Sequence, residues 1–171
     1  MIYGAYGSNI DIRQMHDRLH TNFKDIGPAI LKGYKLVFRG DNEWGYFADV
    51  KYTGKSCDKV LLYLYEMNEE AFTQMDKYEQ VDKDRYYRKV VKCKMLKLFG
   101  KEKEVIIYKM NNKNKENYQF GWPSNEYFGK IFIGYLHRKF PIKELRNIYK
   151  NLLIDNLHNS VSKTRRYRRI V

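Results

Sequence analysis

Ile2-Tyr3-Gly4-Ala5-Tyr6-Gly7-Ser8-Asn9 opens the chain, and Ile12, Met15 and Leu19 follow it at helical spacing. Alternation up to Ala5 predicts a short strand; the glycine-containing tetrad predicts a tight turn; the 3–4 residue spacing beyond it predicts a helix. A strand that turns sharply into a helix frees backbone donors at the turn, and a glycine there lets a ligand come close to the main chain. A carboxylate or phosphate suits such a turn. So does a plain structural turn in which Ser8 or Asn9 caps the helix and Gly7 takes a positive φ.

Outward from that stretch, Ala29 to Arg39 and Tyr46 to Tyr52 alternate apolar and polar residues between Gly33, Gly40 and Gly54, and Val60 to Met67 is a buried-looking apolar run. These predict three more strands. Asn68 is suited to cap a helix whose Phe72, Met75 and Glu79 share one stripe, apolar first and acidic at its end. Tyr86 to Met95 and Glu104 to Met110, on either side of Gly100, predict a long β-hairpin with a basic outer face. A polar loop is expected over Asn111 to Gly121. Pro123 and Ser124 then open a helix carrying Tyr127, Ile131 and Tyr135, and another is expected from Ile142 to about Leu153. This order lacks the regular βα alternation of a doubly wound sheet. It predicts a mixed α+β fold: a small mixed β-barrel or sheet with flanking helices, over residues 1–160, followed by a basic tail at 161–171.

The chain has 171 residues, the length of one domain, with 43% hydrophobic and 16% aromatic residues to build its core and a formal net charge of +13. The charge is uneven: the stretch from His137 to the end holds ten Lys or Arg and two Asp or Glu. Cys57 and Cys93 are too few for a disulfide framework, and no signal-like or membrane-spanning apolar stretch is present, so a cytoplasmic protein is expected.

Few residues offer chemistry. Glu79, beside apolar surface at a helix end, is a carboxyl whose pKa desolvation would raise toward proton-transfer use; the alternative is a solvated acid. His16 and His20 have the i, i+4 spacing of a zinc helix, but a site needs three or four ligands, and a solvent-facing helix is the better reading. Nucleophile elbows and phosphate-binding glycine loops are absent, which excludes serine-hydrolase and nucleotide-hydrolase chemistry. Arg165, Arg166, Arg168 and Arg169 around Tyr167 suit nucleic acid or an acidic partner, or form a plain terminal tail.

Taken together, YGAYGSN at 3–9, AILKGYKLVF at 29–38, GYFADV at 45–50, VLLYLYEMN at 60–68, MDKYEQV at 75–81, RYYRKV at 85–90 and PSNEYFGKI at 123–131 resemble the γ-glutamylcyclotransferase, or AIG2-like, family. The resemblance implies a cofactor-independent enzyme, with no metal, that cyclises a γ-glutamyl amide to 5-oxoproline. It implies Glu79 as general acid and base, substrate binding by Tyr3, Gly4, Ala5, Tyr6, Gly7, Ser8 and Asn9, and tyrosines near the substrate at Tyr86, Tyr108 and Tyr127. Gln80 departs from the pattern, since family members often carry glycine there. The competing expectation is a catalytically silent module of this fold that binds through its basic C-terminus. The retained acid favours the enzyme.

Overall fold

The computed structural model describes residues 1–20, 22–41, 43–96, 100–112, 119–150 and 152–153. The expected arginine-rich tail, with Tyr167, lies outside these residues, as do 113–118 of the expected polar loop.

Five strands close a barrel in the order β1 (Ile2–Ala5), β5 (Lys59–Met67), β2 (Phe23–Lys32), β6 (Tyr86–Met95) and β7 (Glu102–Met110). All neighbours run antiparallel except at the seam, where β1 meets β7 in parallel through Tyr3 and Ile106. The interior is apolar: Leu62, Leu64, Val105, Ile107, Ala29 and Leu31 are buried. β5 is buried almost throughout, as a strand covered on both faces must be. β6 and β7 alternate as the sequence predicts, with Lys92 and Lys94 outward opposite Glu104 and Glu102. The outer face of this hairpin therefore carries acidic residues opposite its lysines.

A second sheet, in the order β4 (Gly45–Tyr52), β3 (Tyr34–Asp41) and β8 (Gln119–Phe120), packs beside the barrel. Here the structure departs from the alternation read at Ala29 to Arg39, which spans two strands in different sheets. Gly33 divides them, with φ at 76°, a left-handed conformation that glycine adopts without a Cβ penalty. Its carbonyl accepts bonds from the Thr53 and Gly54 N–H groups and its N–H donates to Asp58, fixing the switch between sheets.

Three described helices flank the sheets: α1 (Ile12–Leu19), α2 (Glu69–Tyr78) and α3 (Asn125–His137); residues 142–150 are also helical. Asn68 caps α2 as read from sequence, accepting from the Ala71 N–H, and Ser124, read only as part of the opening of its helix, caps α3 by accepting from the Tyr127 N–H. The cap of α1 differs. Ser8–Ile10 form a 3₁₀ turn first, so the cap falls to Asp11, which accepts from the Arg13 N–H, while Ser8 and Asn9 turn their side chains to Gln14. His16 Nδ1 faces the His20 carbonyl at 2.8 Å, closing the helix end, and no group of three or more metal-ligating side chains occurs among the described residues. No helix among them is long and apolar enough to cross a membrane.

α3 reaches the turn after β1 through Gly134. A Cβ at that position would lie 2.8 Å from the Asp11 nitrogen and within 3.1 Å of Ile10, too close for two backbones to tolerate. Gly134→Ala is therefore expected to destabilise the fold by about 1–3 kcal/mol, the usual cost of overpacking. A urea midpoint equal to that of the unsubstituted protein would show that α3 is not seated against the turn.

Candidate active site

The turn that follows β1 is shaped by its own peptide groups. The Gly7 carbonyl accepts from the Ile10 N–H and the Ser8 carbonyl from the Asp11 N–H, each at 3.1 Å. In a trans peptide the N–H opposes the C=O, so the N–H groups of Ser8 and Asn9 point out of the turn's open end, where a helical turn has no acceptors of its own. Behind the turn, the Tyr65 hydroxyl donates to the carbonyls of Asn9 and Ile10, and Arg138 Nε donates to Ile10. The guanidinium of Arg138 stacks 3.7 Å from the Tyr63 ring centroid and pairs with Asp25. Gly7 has φ at −104°, outside the left-handed region, so glycine is needed here for space: a Cβ would sit 3.1 Å from both the Tyr127 hydroxyl and Ala48.

Glu79 occupies the C-terminal cap of α2, directly across from this turn. Its backbone N–H bonds to Met75, and its side chain is 15% exposed. Asn9 Nδ2 and Arg18 NH1 each donate to Glu79 Oε1 at 3.1 Å, so both donors meet one oxygen. Asn9 Nδ2 also reaches the Tyr3 hydroxyl at 2.9 Å, and Gln14 fixes the amide by donating to Asn9 Oδ1 at 2.8 Å. Burial pushes the Glu79 carboxyl above its usual range, with Arg18 and the Asn9 hydrogen bond pulling it partly back. A sheltered carboxylate with one oxygen held and the other uncommitted is the arrangement a proton carrier needs.

Between Glu79 and the turn lies a cavity of about 230 Å³. Of the residues singled out in the sequence, Tyr3, Tyr6, Gly7, Ser8, Asn9, Glu79, Tyr86, Tyr108 and Tyr127 line it. Gly4 and Ala5 do not. A Cβ on Gly4 would face Leu62, Val105 and Ile107 inside the barrel, and Ala5 is fully buried. The tyrosines are built into the walls. Tyr86 donates to the Ala48 carbonyl at 3.0 Å, and Tyr127 accepts from the Ala48 N–H at 3.2 Å, so one residue of β4 is gripped from the barrel and from α3. Tyr6 donates to the Tyr108 carbonyl, and the Tyr108 hydroxyl donates to Asp76 at 2.6 Å. Burial raises the pKa of Tyr3, Tyr6, Tyr86, Tyr108 and Tyr127, keeping each a neutral hydroxyl.

The sequence reading missed Gln14, Arg18, Phe47, Ala48, Arg85 and Lys130, all of which border the cavity. Gln14 and Arg18 stand four apart on one face of α1, which was legible; that this face meets Glu79 was not. Because Arg18 opposes the effect of burial, Arg18→Met is expected to raise the Glu79 pKa further. Carbon-13 NMR titration of the glutamate side chains reads this directly, and an unmoved or lowered value would remove Arg18 as the counter-ion.

Comparison with known proteins now bears on this geometry. A solved structure named gamma-glutamyl cyclotransferase superposes with a TM-score of 0.75 at 24% identity, covering 87% of this chain and 86% of its own. An uncharacterised human protein gives 0.74 at 25%, covering 86% and 85%. YkqA from Bacillus subtilis gives 0.68 at 22%, with 87% of this chain aligned to 54% of its length. No curated protein matches by sequence. Residues 3–128, which hold the turn, Glu79 and every tyrosine of the cavity, match the model of one family, and the chain belongs to the gamma-glutamyl cyclotransferase, AIG2-like family.

Proposed function

We propose that the protein cyclises a γ-glutamyl amide to 5-oxoproline and releases the amine. The observation that carries this reading is Glu79: a carboxyl in a tyrosine-walled cavity, held through Oε1 alone and facing a turn with outward N–H donors.

The reaction is an internal aminolysis. The α-amine of the γ-glutamyl group attacks its own side-chain amide carbonyl, a five-membered ring closes, and the carbon–nitrogen bond to the departing amine breaks. Nucleophile and electrophile belong to one molecule, so a protein that folds the substrate into the attacking shape supplies much of the rate without a covalent nucleophile. At neutral pH the α-amine carries an extra proton. Ionised Glu79 accepts a proton from the attacking nitrogen and returns it to the departing one, so every proton the first loses ends on the second and the carboxylate is restored. In this reading the Ser8 and Asn9 N–H groups receive the α-carboxylate or the oxygen on which charge develops. The neutral tyrosines that wall the cavity keep water away, with the hydroxyl protons of Tyr6, Tyr86 and Tyr108 held by protein acceptors.

Incubation with a panel of γ-glutamyl amides, with 5-oxoproline measured directly, tests the reaction. Release from none of them would overturn it. Glu79→Gln is expected to fold and to lower turnover by roughly 10²–10⁴, the range for losing a general acid–base group. A variant with undiminished kcat would remove Glu79 from the mechanism.

The pH profile follows from the same carboxyl. As the base, Glu79 acts when ionised, so kcat/KM is present above its pKa and lost as pH falls through it. Burial has raised that pKa, so the acid limb of kcat/KM is expected above the ordinary glutamate value of 4.5. An acid limb at or below that value would show that another group sets the dependence.

A further inference from the structure

Arg85 borders the same cavity, and its surroundings differ from those of the other cations there. Arg18 is spent on Glu79 at 3.1 Å, and Lys130 pairs with Glu126 at 3.1 Å. Arg85 NH1 donates to Gln80 Oε1 at 3.3 Å, and its guanidinium lies 4.6 Å from the centroid of Phe47, itself part of the cavity wall, while its charge reaches Glu79 through space and helps to hold that carboxyl down. Among the described residues no carboxylate lies within ion-pairing distance of it.

The way Arg85 is held points to a use. Gln80 adopts φ 52° and ψ 48°, the left-handed conformation where glycine sits without strain. Its carbonyl accepts the Arg85 N–H at 3.1 Å, and its side chain steadies the guanidinium at the cavity wall. A glycine would serve the backbone and give up the second contact. In the reading above, Glu79 serves the reacting amide of a γ-glutamyl substrate, and the Ser8 and Asn9 N–H groups serve its α-carboxylate or the oxygen on which charge develops. A guanidinium oriented by Gln80 and Phe47, with no ion-pair partner among the described residues, is available to the other half.

We propose that Arg85, steadied by Gln80 and Phe47, is a specificity-determining residue that binds a carboxylate on the departing amine, so that the protein prefers γ-glutamyl amino acids to γ-glutamyl derivatives of uncharged or cationic amines. This rests on the cyclotransferase reading above. A planar guanidinium matches a carboxylate with two parallel N–H donors, and the face of Phe47 fixes its plane. A departing amine with a further positive charge meets repulsion at the same point.

Three probes separate the possibilities: γ-glutamyl-alanine, γ-glutamyl-ethylamide, which lacks only the alanine carboxylate, and γ-glutamyl-1,4-diaminobutane, which ends in a cation. Affinities are measured by calorimetry in the Glu79→Gln background, so that recognition is read without turnover, and 5-oxoproline release is measured with Glu79 intact. The alanine compound is expected to bind about tenfold or more tightly than the ethylamide, as a charge-assisted pair allows, with the diaminobutane compound weakest. Arg85→Met keeps an apolar stem against Phe47 and is expected to bring the first ratio close to one; Arg85→Lys is expected to retain part of it, and Gln80→Gly to lower it several-fold. An unaltered ratio in Arg85→Met overturns the assignment. So does an equal loss for the alanine and ethylamide compounds, which would mean that Arg85 serves the γ-glutamyl half. Equal 5-oxoproline release from all three with equal affinities overturns the specificity and leaves the cyclotransferase reading standing. If no probe binds and none yields 5-oxoproline, both fall.

Discussion

A carboxyl withdrawn from water has to be met by donors, and in this protein Glu79 is met on one oxygen by two. Asn9 comes from the turn after β1 and Arg18 from α1. Those two contacts decide how α1 lies against α2, because both donors must arrive at the same atom from elements joined only through that turn. Asn9 is in turn gripped by Gln14 and shares its amide with Tyr3. The carboxyl is thus the point at which the barrel's first strand, its turn and two helices are brought into register.

The surrounding walls follow the same rule of buried polar groups finding partners. Ala48 has its N–H and carbonyl bound by Tyr127 and Tyr86 respectively, which ties the second sheet to the barrel at the cavity. One residue further along β4, Asp49 is fully buried and accepts from Arg39, Lys109 and the Met110 N–H, joining β3, β4 and β7. A buried acid with three donors around it is costly to expose on one side and steadies the geometry of its neighbours. These partners steady β4 beside the cavity, while the second oxygen of Glu79 and the outward N–H groups of the turn remain open to a ligand.

Much of this was written locally in the chain. The strand, glycine turn and helix at 2–19, the Asn68 cap, the hairpin across Gly100 and the stripe ending in Glu79 each depend on residues a few positions apart. Their order gave a mixed sheet or small barrel with flanking helices, and only the family resemblance pointed to the closed barrel. What escaped was set by long-range packing. Gly33 splits an alternating run between two sheets because its carbonyl is needed by Thr53 and Gly54. Asp11, and not Ser8 or Asn9, caps α1 because those side chains are drawn to Gln14. Arg18 sat between two histidines that attracted attention as metal ligands, and its partner lies on another helix. Gly4 and Ala5 belong to the same short motif as Tyr3 and Tyr6, yet Gly4 is packed against Leu62, Val105 and Ile107, and Ala5 is fully buried with a side chain that ends at Cβ and does not reach the cavity as a tyrosine does.

The parallel seam between β1 and β7 ties the turn to parts of the chain distant in sequence. Tyr3 stands opposite Tyr65 of β5 on one side and Ile106 of β7 on the other. Contacts this distant cost loop-closure entropy before they return any stability. The short strand that leads into the turn therefore draws its support from strands remote in sequence, and a loosening of either is felt at the cavity.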